Sequence, residues 1–281
     1  MQNKTVVITG ATSGIGEVAA LALAHQGARI VLVARDGERG AATMAKLKGA
    51  NAAADHKVHF ADLSSLADMK RVVTEIADSE PRIDVLVNNA GAVFLSRKTS
   101  IDGLEMTFAT NHLAYFVVTN LLLDRLKATA GARIVSTASD AHKSGQLDFG
   151  DLQSVQNYSA FRVYGTSKLC NILFTRELAR RLEGTGVTAN CLHPGFVGTR
   201  FGQNNANNVF LKLLTRTVMS FGLSPEDGAK TIIHLASSPD VETISGEYFY
   251  KCKIAAPNAA AQDDAAAKRL WDVSAKIAGV G

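Results

Sequence analysis

Short apolar runs rich in β-branched residues alternate along this chain with longer stretches of helical periodicity. Near-continuous apolar runs are typical of strands that are buried on both faces, as in a parallel sheet. The candidate strands are 5–9, 29–34, 57–60, 83–87, 133–136 and 187–192. The helical stretches are 14–26, 38–48, 65–79, 102–128 and 160–182. This alternation predicts right-handed βαβ units in an α/β, doubly wound Rossmann fold, with one parallel sheet of about seven strands between two helical layers.

Composition excludes intrinsic disorder, because 47% of the 281 residues are hydrophobic and the net charge is only +4. No repeat or linker divides the chain, so we expect a single domain, 1–281. Two segments, 140–158 and 200–222, interrupt the alternation. The second is interpreted as a substrate lid rather than a surface excursion, since long loops in compact domains are uncommon. A C-terminal extension, 255–281, contains a predicted amphipathic helix around Trp271.

Charge and cysteine patterns exclude several classes of partner. No cluster of five or more basic residues directs the weak positive charge, which argues against nucleic-acid binding. Cys170, Cys191 and Cys252 have no metal-ligand spacing and are interpreted as thiols in a reducing compartment, with no metal expected. The longest uncharged apolar-rich run, 113–123, falls short of the ~18 residues that span a bilayer. We therefore expect a cytoplasmic protein without a membrane anchor.

A glycine-rich turn directly follows the first strand and opens a helix. The unpaired N–H groups and the positive dipole end of such a helix attract a pyrophosphate. The spacing Gly-x-x-x-Gly-x-Gly differs from Gly-x-Gly-x-x-Gly, and no Walker A lysine follows. Its position nevertheless predicts dinucleotide binding over a plain strand-to-helix turn. The binding residues predicted in this turn are Gly10, Thr12, Ser13, Gly14, Ile15 and Gly16.

The end of the second strand bears on the choice between NADP and NAD. Arg35 stands where a NAD site would place a carboxylate against the ribose 2′-hydroxyl. An arginine can instead pair with the 2′-phosphate of NADP. We therefore expect NADP(H), with NAD(H) possible because Asp36 offers a carboxylate one position later.

Tyr164 and Lys168 share one face of a predicted helix, since they are four residues apart. A free phenol has a pKa of about 10 and is a poor base at neutral pH. A neighbouring ammonium favours the phenolate and is expected to lower that pKa, by roughly three units. Such pairs are common on protein surfaces, so the interpretation depends on the residues around this one.

With those neighbours, the chain resembles the short-chain dehydrogenase/reductase family over nearly its whole length. The residues that carry the resemblance are 9–16, Asp62-Leu63, 88–91, Asn111, Ser139, Tyr164, Lys168 and Pro194-Gly195. The segments 167–174 and 192–195 are most similar to the retinol dehydrogenase and WW-domain oxidoreductase branch. Only residues 1–4 precede the first strand, whereas membrane-bound members of the branch carry an apolar anchor there.

The resemblance implies catalytic roles for four residues. Tyr164 would transfer the hydroxyl proton while hydride passes between the substrate carbon and the nicotinamide. Lys168 would bind the nicotinamide ribose and lower the pKa of the tyrosine. Ser139 would hydrogen-bond the substrate oxygen, and Asn111 would hold a water that relays protons from Lys168.

Further cofactor contacts are implied in the same way. Asp62 and Leu63 would contact the adenine, while Asn89, Ala90 and Gly91 would line the cleft. Pro194, Val197 and Thr199 would lie beside the nicotinamide. His112 and His193 are interpreted as packed residues, since Tyr164 already supplies the acid or base.

The sequence thus predicts an oxidoreductase that interconverts a carbonyl and an alcohol with NADP(H). Apolar residues near the predicted lid indicate a largely apolar small-molecule substrate. They are Phe196, Phe201, Phe210, Leu211 and Leu214. The alternative is a non-catalytic NADP(H)-binding regulator, whose signature would be a lost serine, tyrosine or lysine. An extended-branch epimerase would need another glycine spacing. The helices 102–128 and 160–182 are the surfaces through which relatives pair, so a homodimer or homotetramer is possible.

Overall fold

A computed structural model describes residues 1–197 and 223–280. Its strands are β1 Thr5–Thr9, β2 Arg29–Ala34, β3 Lys57–Phe60, β4 Val85–Asn88, β5 Arg133–Thr137, β6 Thr188–Leu192, β7 Tyr248–Tyr250 and β8 Lys253–Ile254. Its helices are α1 Gly14–His25, α2 Gly37–Ala50, α3 Leu66–Ser79, α4 Met106–Phe108, α5 Ala114–Lys127, α6 Ala160–Arg181, α7 Pro225–Ser237 and α8 Asp264–Ala278. The predicted lid, 200–222, lies outside the described residues.

The described strands form one sheet in the order β3-β2-β1-β4-β5-β6-β7-β8. Every pairing is parallel except the last, β7 with β8, which is antiparallel. The doubly wound fold is therefore confirmed, with eight strands instead of about seven. The extra strand is two residues long and follows a tight turn in which Lys251 and Cys252 have φ of +49° and +60°. Neither residue is a glycine, so the sequence carries no turn signal there.

Successive residues of each strand point to opposite faces of the sheet and contribute to two apolar layers, one on each face. Val6 and Ile8 are fully buried on the face covered by α1 and α7, and Val7 is fully buried on the face covered by α3, α5 and α6. Because both faces are covered, the strands read as continuous apolar runs. The first residues after β1, β2, β4, β5 and β6 all emerge at the carboxyl edge of the sheet, where crevices between strands form binding sites in this kind of fold.

The predicted helix 102–128 is interrupted in the structure. The Glu105 carboxylate accepts the backbone N–H groups of Thr107 at 2.9 Å and Phe108 at 2.7 Å, so α4 starts only at Met106. A π-helical turn, Ala109–Leu113, then separates α4 from α5. Hydrophobic periodicity does not register a single wide turn, which explains the difference.

The C-terminal helix α8 packs across α5 and α6. The Trp271 ring stacks on Phe174 with centroids 5.7 Å apart and meets Phe116 edge-on at 4.9 Å. Asp264, at the start of α8, pairs with Arg176 at 3.1 Å and Arg180 at 2.6 Å. The predicted amphipathic helix is present, and it covers one face of α5 and of α6. No helix among the described residues combines the length and apolar character needed to cross a membrane.

Candidate active site

The glycine-rich turn lies tightly between the ends of β1 and β4. Gly10 and Gly14 have φ of +68° and +58°, in the left-handed region that favours glycine. A Cβ on Gly10 would lie 2.6 Å from the Cα of Ala90, and one on Gly16 would lie 2.5 Å from the carbonyl oxygen of Gly10. A side chain therefore has no room at Gly10 or Gly16, and the start of α1 is held against the sheet.

The N-terminus of α1 is open to an anion. Ser13 is the N-cap, but its side chain caps no N–H group among the described residues. The carboxylate of Glu17, in the first turn, is engaged by Lys46 at 2.8 Å and Thr43 at 3.1 Å. Because the nearby negative charge is already paired, this helix end fits the pyrophosphate of a dinucleotide.

Arg35 and Asp36 differ in whether the side chain already has a structural role. Arg35 is exposed at the end of β2. Asp36 is the N-cap of α2 and accepts the backbone N–H of Arg39 at 2.9 Å. One of the two candidates for the ribose contact thus already stabilises a helix.

Asp62 and Leu63 follow β3 at the same edge. One carboxylate oxygen of Asp62 accepts both the backbone N–H of Ser64, at 2.9 Å, and its hydroxyl, at 2.8 Å. Leu63 is buried, whereas Asp62 is exposed. The turn therefore exposes the carboxylate of Asp62 and buries the apolar side chain of Leu63 beneath it.

Asn89 ties the end of β4 to the glycine-rich turn. Its side-chain amide donates to the carbonyl oxygens of Thr9 at 3.2 Å and Gly10 at 3.0 Å. The Thr9 hydroxyl in turn accepts the backbone N–H of Ala90 at 3.1 Å. A Cβ on Gly91 would lie 3.5 Å from the Lys168 Nζ, so this segment forms a wall beside the lysine.

Ser139, Tyr164 and Lys168 meet at the end of β5. The Ser139 hydroxyl lies close enough to the Tyr164 hydroxyl to lower its pKa. Lys168 is 2% exposed, and its Nζ donates to the carbonyl oxygen of Thr137 at 3.0 Å. That Nζ also lies 5.7 Å from the centroid of the Tyr164 ring and 5.6 Å from that of Tyr115. The helical spacing of four thus places the phenol and the amine side by side.

The expected lowering of the tyrosine pKa is not found in the chain alone. Burial raises the pKa of Tyr164 to about 12, against a smaller lowering by the nearby Ser139 hydroxyl. Burial also lowers the pKa of Lys168 to about 7. The reason is desolvation, which disfavours both charged forms, so a partly neutral amine cannot stabilise the phenolate. At neutral pH the phenol carries its proton.

Asn111 lies in the π-helical turn and is fully buried. Its Oδ1 accepts the backbone N–H of Ala92 at 2.8 Å, and its Nδ2 donates to the carbonyl oxygen of Ala92 at 2.9 Å. Nδ2 also donates to the Ser167 hydroxyl at 3.1 Å. The side chain therefore joins the β4 wall to the helix that carries Tyr164 and Lys168.

The remaining predicted contacts lie in two places, after β6 and in the glycine-rich turn. Pro194, two residues after β6, is partly exposed. Thr12, in the glycine-rich turn, is partly exposed as well. A Cβ on Gly228 of α7 would lie 2.6 Å from Val197 and 2.8 Å from Ile15, so these two side chains close over the same small residue. Thr199 lies outside the described residues.

Two residues near the site escaped sequence reasoning. The carbonyl of Thr137 accepts both Lys168 Nζ and, at 3.3 Å, Asn171 Nδ2. His142 is fully buried three residues after Ser139. A backbone carbonyl leaves no sequence signal, and His142 lies in a stretch that reads as a polar loop. His112 and His193 are packed: His112 meets Ser274 at 2.9 Å, and His193 stacks on Tyr250 at 4.0 Å.

Comparisons of sequence and of fold find similar known proteins. A sequence model of the family described as short chain dehydrogenase matches residues 4–209. Human retinol dehydrogenase 14 is 42% identical over 294 residues, covering 100% of this chain and 88% of the relative. A solved structure of an uncharacterised protein from Mycobacterium paratuberculosis has a TM-score of 0.78 at 31% identity, covering 99% of this chain and 94% of that one.

A second solved structure, the RhlG/NADP active-site complex of Pseudomonas aeruginosa, has a TM-score of 0.70 at 27% identity. It covers 89% of this chain and 94% of its own. The chain therefore belongs to the short chain dehydrogenase family, in its retinol dehydrogenase-like branch, and is an NAD(P)-binding oxidoreductase that interconverts carbonyls and alcohols.

Proposed function

We propose that the protein is an NADP(H)-dependent oxidoreductase in which Tyr164 is the general acid and base, acting on a largely apolar aldehyde, ketone or alcohol. The observation that carries this proposal is the placement of the Ser139 hydroxyl and the buried Lys168 amine beside Tyr164. These groups lie at the edge where the glycine-rich turn opens.

The residues around the carboxyl edge fit a dinucleotide. The first turn of α1 would hold the pyrophosphate, and Asp62 with Leu63 would contact the adenine. Gly91, Val197 and Lys168 would border the nicotinamide and its ribose. When bound, the nicotinamide supplies or accepts the hydride.

The chain itself handles the proton. Because burial keeps the pKa of Tyr164 at about 12, the phenol is protonated at neutral pH and ready to donate to a carbonyl oxygen. The Ser139 hydroxyl would hold that oxygen in place and stabilise its developing charge. Lys168, with a pKa of about 7, can give up or take a proton near neutrality, so it would reprotonate the tyrosine.

The preference for NADP(H) rests on Arg35. Its side chain is exposed where the adenosine ribose, which carries the 2′-phosphate, would lie, while Asp36 is engaged as a helix cap. A guanidinium pairs well with a phosphate and has no equivalent partner on a 2′-hydroxyl.

An apolar substrate fits the exposed side chains that lie close in sequence to the candidate site residues. Phe161, one helical turn before Tyr164, is 74% exposed, and Phe196, two residues after Pro194, is 62% exposed. Leu95 and Val155 are exposed as well, at 41% and 67%. The relatives named retinol dehydrogenases are named for an apolar alcohol, which supports the same substrate class.

Tyr164→Phe tests the proposal, since it removes one oxygen atom and keeps the ring. We expect it to bind NADPH within about twofold of wild type and to lose at least roughly 100-fold in kcat, the scale of general acid catalysis. Binding is measured by fluorescence titration, and turnover by NADPH oxidation with aliphatic, aromatic and sugar aldehydes.

Retained turnover in Tyr164→Phe would overthrow the role of the tyrosine. Efficient reduction of small sugars without that of apolar carbonyls would contradict the substrate class. Tight NADPH binding by wild type without turnover of any carbonyl or alcohol would favour the non-catalytic regulator.

A further inference from the structure

His142 is a buried imidazole that the proposed proton transfer does not use. It lies in the 3₁₀ turn Asp140–Ser144, and both ring nitrogens have partners. Nδ1 lies 2.8 Å from the carbonyl oxygen of Ser139, and Nε2 accepts the backbone N–H of Asn258 at 3.2 Å. The ring thus connects the C-terminal segment to the serine of the candidate site.

These two contacts determine the tautomer. The Asn258 N–H can only donate, so Nε2 must carry a lone pair. The proton of the neutral ring is therefore on Nδ1, which donates to the Ser139 carbonyl. Burial lowers the pKa of His142, in keeping with a neutral ring.

The backbone of Ser139 is consequently held by hydrogen bonds to its carbonyl oxygen. Its carbonyl accepts a second bond, from the backbone N–H of His142 at 3.1 Å. Its Oγ accepts the backbone N–H of Ala141 at 3.2 Å, so the hydroxyl proton is the group that Ser139 can donate, to the Tyr164 oxygen or to a reacting oxygen bound there. The Nδ1 bond is the restraint that the side chain of His142 adds.

The turn also sits directly on the helix that carries Tyr164. A Cβ on Gly145 would lie 2.6 Å from the carbonyl group of Gly165, and one on Gly165 would lie 2.6 Å from the carbonyl oxygen of Ala141. With no side chain between them, turn and helix are in backbone contact. A small rotation of the turn therefore changes the separation of Ser139 and Tyr164.

We propose that His142 is a positioning residue that fixes the Ser139 hydroxyl beside Tyr164 through the bond from Nδ1 to the Ser139 carbonyl, while the bond from Asn258 to Nε2 keeps the ring in the tautomer that makes this bond. This inference rests on the proposed function, because it assigns His142 an effect only through Ser139. Misplacing a group by about 1 Å can cost roughly 100-fold in rate, so the expected effect is on kcat.

Two substitutions separate the two bonds. In His142→Asn, the amide nitrogen takes the place of Nδ1 and still donates to Ser139, but the bond from Asn258 is lost. In His142→Gln, the amide oxygen reaches the place of Nε2 and accepts from Asn258, but the donor to Ser139 is lost. We expect kcat to fall roughly 10- to 100-fold in His142→Gln and to recover to within about fivefold of wild type in His142→Asn, with the KM for NADPH within about twofold in both.

A double-mutant cycle with Ser139→Ala isolates the route of the effect. In the Ser139→Ala background, we expect His142→Gln to lower kcat by less than about threefold more. A full additional loss there, or equal losses in the Asn and Gln variants that follow their melting temperatures, would overturn the inference. If Ser139→Ala and Tyr164→Phe are both fully active, it is the proposed function that fails.

A second measurement needs no variant at this position. In ¹⁵N-histidine NMR spectra at neutral pH, the resonance of His142 should show a neutral ring protonated on Nδ1. A ring protonated on Nε2 alone contradicts the bond to Ser139, and a ring protonated on both nitrogens contradicts the bond from Asn258.

Discussion

Arg35 offers the sharpest test of cofactor choice, through the substitution Arg35→Gln. Gln keeps a polar side chain of similar reach and removes the charge that would pair with the 2′-phosphate. A hydrogen bond to a charged group contributes about 1.5–3 kcal/mol, and the exposure of Arg35 argues for the lower part of that range. At about 1.5–2 kcal/mol, the Kd for NADPH should rise roughly 12- to 30-fold. The Kd for NADH should change less than about twofold, since NADH has no phosphate to lose.

The assay is a fluorescence titration with NADPH and NADH on the same preparation. Lys127→Gln is the matched control, because it removes the same charge at the end of α5, which lies at the amino edge of the sheet. That control should leave both Kd values unchanged. Raising the salt concentration should shrink the NADPH effect, as expected for an exposed ion pair.

Asp36→Asn separates the two candidates for the ribose contact. Asn is as good an N-cap as Asp, so α2 should keep its stability while the carboxylate charge is lost. We expect NADPH to bind at least as tightly as in wild type. Equal losses of NADPH and NADH in Arg35→Gln, or weaker NADH binding in Asp36→Asn, would refute the assignment and move the contact to Asp36.

Two further predictions concern the glycine-rich turn and the buried lysine. Gly10→Ala should abolish NADPH binding and lower the melting temperature well below that of Gly131→Ala: the φ values are +68° and +70°, but a Cβ meets the Ala90 backbone only at Gly10 and has open space at Gly131. Equal effects of the two variants on binding and melting would contradict the packing argument. Lys168 has a pKa of about 7 in the folded chain, against 10.5 ordinarily. Between these pH values the lysine is protonated in the unfolded state but largely neutral in the folded state. The stability of the wild type should therefore rise with pH relative to that of Lys168→Met. The free energy of unfolding is measured with urea for both proteins at pH 7 and pH 9. Between these values it should rise more steeply with pH in the wild type, by a difference approaching about 1.4 kcal/mol per pH unit. The same pH dependence in both proteins would contradict this prediction.

Most of the fold follows from hydrophobic periodicity, and the reasons for the exceptions are local. The strands β1, β2 and β3 match their predicted bounds, because runs such as 29–34 are apolar throughout. β7 and β8 were not predicted, since three and two residues are too few to show a period. The π-helical turn at Asn111 depends on tertiary contacts to Ala92, which no local pattern encodes.

The candidate site was predicted as a set of residues but not as an electrostatic environment. Spacing alone places Tyr164 beside Lys168, as the structure has them. Their pKa values depend on burial, which a sequence does not give, and burial reversed the expected direction for the tyrosine. His142 was overlooked for a related reason: its partners at Ser139 and Asn258 lie on separate segments that only the fold brings together.

The packing of α8 on α5 and α6 also sets an order of events during synthesis. Phe116 and Phe174 leave the ribosome long before Trp271, which covers them in the finished protein. About 100 residues separate Phe174 from Trp271, so at about 5–20 residues per second the aromatic face stays uncovered for roughly 5 to 20 seconds. During that interval it is a surface that chaperones can bind and that neighbouring nascent chains can stick to. Slow translation of residues 175–270 should therefore lower the yield of native protein, even though every codon specifies the same amino acid.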